Sequence, residues 1–166
     1  MTATYDRIAT QTLGSNTYTV TFSSIPATYT DLVLVCSVRD TNGSGTISAD
    51  MQLNSDSGSN YSTTVLRGNG STADSLRSTS STVMTYNYYP NGATSAFGTV
   101  IFNLMNYANT TTNKTVLIRS NNPEGNLTAN VSLWRNTAAI NTVAVRSNTA
   151  FFVTGSTFTL YGIKAE

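Results

Sequence analysis

Six aspartates (Asp6, Asp31, Asp40, Asp50, Asp56, Asp74), two glutamates (Glu124, Glu166) and one cysteine (Cys36) are the only carboxylates and thiol in this 166-residue chain, which has no histidine. The usual general base is therefore missing, with the base of a Ser or Cys triad and the commonest transition-metal ligand. A glycosidase needs two carboxylates flanking a sugar. Glu124 stands in a turn sequence, Glu166 is the last residue, and the spacing of the aspartates recommends no pair. No Cys/His cluster suits zinc, and neither a G-x-S-x-G elbow nor a phosphate loop appears. Asn54, Asp56 and Gly58 have the look of a calcium loop, but the further carboxylates and the closing Glu are lacking, so a plain Asx-rich turn is expected. Cys36 lies inside DLVLVCSV and reads as a small core hydrophobe. These residues predict a protein that is not an enzyme and takes no metal or cofactor.

Aromatic side chains are the remaining candidates. Tyr86, Tyr88, Tyr89 and Phe97 bracket the turn YPNGATSAFG, and Tyr86 and Tyr88 share a face because Asn87 alternates between them. Exposed Tyr supplies contact area at low entropy cost and also suits sugar binding; equally, these rings could fill a core. Trp134, in TANVSLWRN, is the only tryptophan, and core or subunit contact is expected of it ahead of a sugar platform. Tyr86, Tyr88, Tyr89, Phe97 and Trp134 are the candidate interface residues.

The elements that must position them are strands. Thr, Ser and Asn supply about two fifths of the chain, while charged residues are only 10%. Thr favours strands, Ser and Asn favour turns, and good exposed-helix formers are scarce. Period-two alternation is plain in TYTVTF (Tyr18, Val20, Phe22 on one face) and in TISADMQLN, where Ile47, Ala49, Met51 and Leu53 alternate with Ser48, Asp50, Gln52 and Asn54. Four runs are more uniformly apolar, at 32–38, 99–105, 115–118 and 141–145, and suit strands covered on both sides by a second sheet or a neighbouring subunit. Turn signals separate the runs, among them Asn42-Gly43, RGNGS and NNPEG. About ten strands are predicted, near 6–13, 17–22, 31–39, 46–53, 61–67, 82–88, 97–107, 114–120, 127–135 and 141–146, with a last one at 156–164. STADSLRSTSS, at 71–81, reads as a helical turn or a long loop. The fold expectation is one all-β domain over 1–166, an antiparallel β-sandwich of jelly-roll kind with little or no helix.

A net charge of +1 with two lysines and seven scattered arginines predicts no nucleic-acid partner. No run is long enough for a helical membrane span and no leader is visible, which points to a product made in the cytoplasm. The N-x-S/T triplets follow from composition.

Two stretches carry a resemblance: YDRIATQTLGSNTYTVTFSSIPATYTDLVLVCSVR, with its SSIP…YTDL pattern, and the C-terminal STFTLYGIKAE. Together they resemble a family of small β-sandwich structural proteins in the virions of tailed bacteriophages, including those of cyanobacteria; the middle of the chain matches in composition and strand rhythm only. The resemblance implies a location in the virion. Two placements follow: a capsid decoration protein, often trimeric, that contacts the major capsid protein and copies of itself, or a tail or fibre component contacting host glycans. The lack of a fibre repeat or coiled-coil stalk favours decoration. A Thr/Ser/Asn surface also loses little side-chain entropy on packing.

Overall fold

The computed structural model describes residues 4–42, 48–87, 95–123, 125–148 and 150–164, with backbone alone at Tyr86 and Asn87. No helix occurs among them. Twelve strands do: β1 (Tyr5–Thr12), β2 (Thr19–Phe22), β3 (Asp31–Val38), β4 (Ser48–Leu53), β5 (Tyr61–Gly68), β6 (Ala73–Ser81), β7 (Met84–Asn87), β8 (Gly98–Leu104), β9 (Lys114–Asn121), β10 (Leu127–Trp134), β11 (Val143–Ser147) and β12 (Thr157–Ile163).

Four antiparallel pairs are nested in sequence: β1 with β12, β2 with β11, β3 with β8, and β4 with β7. They are the rungs of one long hairpin. Alternate rungs fall into opposite sheets, giving β1-β12-β3-β8 in one and β2-β11-β4-β7 in the other. That strand order is a jelly roll. Two further hairpins, β5–β6 and β9–β10, leave the ribbon and add β9-β10-β5-β6 to the first sheet, which becomes eight strands wide against four.

Burial follows the period-two pattern. Leu32, Leu34, Cys36, Val38, Val100, Phe102, Leu104, Phe158 and Leu160 of the large sheet meet Val20, Phe22, Met51, Leu53, Met84, Val143 and Val145 of the small one. Cys36 is fully buried, and burial pushes its thiol far above the ordinary range, which makes it inert. Asp50 departs from the alternation that placed it in water. It is buried, with its carboxylate taking Thr85 Oγ1 at 3.0 Å and Arg146 Nε at 3.4 Å.

Residues 73–81 correct the loop or helical-turn reading, because they form β6, a full edge strand. Its neighbour holds it there: β6 pairs with β5 from Gly68↔Ala73 to Tyr61↔Ser81, across a turn in which Asn69 Oδ1 accepts the Thr72 N–H at 2.7 Å.

The inner face of the added strands is more polar than the rest of the core. Thr63 and Ser132 share a hydrogen bond of 2.9 Å, and Ser120 and Thr128 one of 2.6 Å. Between them Asn130, 4% exposed, stands opposite Ile118 and Val65, and neither atom of its amide has a partner. An unpaired buried amide costs about 1–3 kcal/mol. Asn130→Leu, similar in volume, is expected to raise the unfolding free energy by about that amount in urea melts.

Candidate functional site

The sequence-predicted aromatic cluster lies largely outside the described residues. Tyr88 and Tyr89 lie outside them, as does the side chain of Tyr86. Phe97 is described. It is 38% exposed, follows residues 88–94, and lies under the Arg39 guanidinium at 5.5 Å.

Trp134 corrects its place among the interface residues, because it is wholly buried and belongs to the core. It ends β10 opposite Tyr61 of β5, and the two rings stack with centroids 6.3 Å apart and an interplanar angle of 12°. Its indole Nε1 donates to Asp56 Oδ2 at 2.7 Å. Asp56 also accepts from Asn60 Nδ2 at 2.9 Å and from the Gly58 N–H at 2.8 Å. The Tyr61 hydroxyl accepts the Leu53 N–H at 3.1 Å and donates toward the carbonyls of Leu53 and Asp56. The Trp134 bond holds the Asp56 carboxyl below its ordinary range, while burial pushes the Tyr61 phenol up to about 12. Residues 54–60 are thus an Asx turn locked onto the core, as their sequence suggested. Asn54 is equally occupied: its Oδ1 accepts the Asn141 N–H at 2.9 Å and its Nδ2 donates to Ala139 O at 2.8 Å.

The other aspartates hold separate local contacts. Asp40, buried, accepts from Ser147 Oγ at 2.5 Å and the Asn42 N–H at 2.7 Å; Asp31 accepts the Asn106 N–H; Asp74 pairs with Arg67 and Asp6 with Lys164. Among the described residues no group of three or more His, Cys, Asp or Glu could hold a metal ion. Lys114 is buried without a carboxylate; its Nζ donates to the carbonyls of Thr112 and Thr137 at 2.8 and 3.0 Å, and burial lowers its pKa.

The feature with binding capacity is one that sequence reasoning half missed: the outer face of the large sheet. Leu117 of β9 stands directly opposite Val131 of β10, Ala129 opposite Leu66 of β5, and Ile101 of β8 opposite Val35 of β3. Side chains directly opposite on one face touch, so these pairs build a continuous aliphatic surface. It stays in solvent: Leu66 is 57% exposed, Leu117 47%, Leu127 62% and Val131 45%. Within the same face Arg119 lies opposite Ile101 and Ala129, Arg77 opposite Thr64, and Arg135 donates to Ser62 Oγ at 2.9 Å. No outward position of β5, β6, β8, β9 or β10 carries a carboxylate. The face is aliphatic and cationic, and it matches a partner that is apolar and acidic. The apolar runs at 99–105 and 115–118 signalled part of it. They needed a second cover, and the small sheet does not supply one for Leu117.

No family model matches the chain, and no curated protein matches it. Among solved structures it is similar to an exo-inulinase from Aspergillus awamori (10% identity, TM-score 0.39), with 96% of this chain covering 29% of that one. It is also similar to a toad ovary galectin in complex with thio-digalactose (6% identity, TM-score 0.39, 86% of this chain and 98% of that chain) and to the CBM40 of a Ruminococcus gnavus IT-sialidase (10% identity, TM-score 0.38, 95% and 94%). The chain thus spans less than a third of the inulinase. The jelly-roll assignment rests on the strand order itself.

Proposed function

We propose that this protein is a structural component of a phage virion, a capsid decoration protein that associates with itself and lays the outer face of its large sheet on the major capsid protein. The observation that carries this reading is the exposed aliphatic surface around Leu117, Val131, Leu66 and Leu127, set with Arg119, Arg77 and Arg135 and with no carboxylate among its described residues. Branched aliphatic side chains gain most from burial against other aliphatic groups, and guanidinium groups at such a site select carboxylates. The two terminal stretches that resemble virion proteins support the same location. The carboxylates of the described residues are committed to turns, ion pairs and buried hydrogen bonds, which fits a role without chemistry.

A glycan-binding tail protein is the competing reading. Sugar rings are best met by aromatic faces, and in the large sheet the exposed ring is Tyr5, turned edge-on to Tyr161 at the β1 end and away from the aliphatic surface. Antibody labelling of intact virions separates the two. Signal around the head is the expected result. Signal confined to the tail, with saturable binding to host polysaccharide, would replace this reading with the glycan one.

A further inference from the structure

Edge strands carry a row of unpaired backbone N–H and C=O groups, and proteins usually shield them. Among the described residues, three of the four sheet edges are shielded. β2 and β7 have four residues each, and β1 is broken in mid-strand by a bulge between Arg7 and Ala9. β6 is different. It has nine residues, no proline and no lysine, and its register with β5 runs unbroken from Ala73 to Ser78, with the irregularity beyond Thr79 at Ser80, where φ is 55°. Eight of its nine residues are exposed, so neither of its faces gains burial within the subunit.

We propose that β6 pairs antiparallel with β6 of a second copy across a two-fold axis at Leu76, joining two eight-stranded sheets into one. This rests on the self-association in the reading above, and is independent of the capsid contact. Residues opposite each other in an antiparallel pair share a face, so the axis must pass through a residue. At Asp74 or Arg77 it would set like charges against each other, which destabilises a pair. At Leu76 it bisects the stretch 73–79, sets Arg77 against Ser75 and Asp74 against Ser78, and brings together two leucines that are each 45% exposed. Asp74 is already neutralised by Arg67. A strand edge is complementary to its own copy under this symmetry, because each supplies the donors the other lacks. The pairing would also place two aliphatic faces side by side, doubling the valency of the docking surface.

Sedimentation of the purified full chain alone tests this. The expected species has twice the 17.7 kDa chain mass. Leu76→Lys puts two ammonium groups on the axis and should weaken association by about tenfold or more, while thermal melts of this exposed position stay near wild type. Leu76→Cys should form a covalent dimer on oxidation, since directly opposed Cα atoms lie within about 4.4–6.8 Å, the reach of a disulfide, and the native Cys36 is buried. A monomer at every concentration, a trimer, or a dimer indifferent to both variants would overturn the proposal. None of those results bears on where the protein sits in the virion.

Discussion

Asp56→Ala should cost about 3 kcal/mol of folding stability, although the residue is in a turn and not in the core. Its carboxylate holds at least three donors at once, and one of them is the only polar atom of the fully buried Trp134 side chain. Removing the acceptor leaves that indole N–H unpaired, at about 1–3 kcal/mol, and deletes charge-assisted bonds that contribute about 1.5–3 kcal/mol each before relaxation. For a domain of this size about 3 kcal/mol corresponds to a fall in Tm of roughly 6–12 °C. Asp56→Asn should cost nearly as much, because its amide turns an acceptor into a donor facing Trp134, Asn60 or Gly58. The same bonds set the pH dependence. The Asp56 carboxyl titrates lower in the folded chain than in the unfolded one, with the Trp134 bond as the largest cause. Its contribution is therefore complete above the ordinary carboxylate range and is lost as pH falls through the lowered folded value. The gap in stability between wild type and Asp56→Ala should close in acid. Fluorescence of the single tryptophan should report the protonation directly. A gap that stays constant down to the acid transition would show that Asp56 does not hold Trp134.

The strand rhythm was legible because most strands bury one face, and one-sided burial writes alternation into a sequence. β2 reads this way, and so does β4 apart from Asp50. β6 was not legible for the converse reason: ADSLRSTSS buries neither face, so its strand state comes from the β5 ladder and leaves no hydrophobic pattern. Asp50 misled because alternation predicts a face, and a charge can be held on a buried one when Arg146 and Thr85 meet it. Trp134 turned on a parity of one residue. Leu133 and Val131 point outward, so Trp134 points in, and only the β5–β10 register decides between the two. The exposed aliphatic face was half legible. Leu117 and Ile101 sit in runs too apolar for one buried face, whereas Leu66 and Leu127 join them only through pairings between strands distant in sequence.

Replacing both Leu117 and Val131 by Thr should abolish docking and leave the fold intact. Each side chain is nearly half exposed, so the unassembled subunit loses little, and Thr retains the preference for an extended backbone. In the assembled state each aliphatic group would be buried, for about 1.5–3 kcal/mol apiece. Losing both should therefore weaken binding by about a hundredfold or more. The arginines predict a second signature: binding should weaken with added salt, and less steeply in Arg119→Gln.

The most direct measurement is rebinding of purified chain to virus particles made without it, counted as copies bound per head for wild type and for the Leu117→Thr, Val131→Thr double variant. Saturable binding of the wild type to heads, and loss of that binding in a variant that melts like wild type, is the predicted result. Equal binding by both chains would contradict it, as would a wild type that binds only tails and is displaced by soluble host polysaccharide.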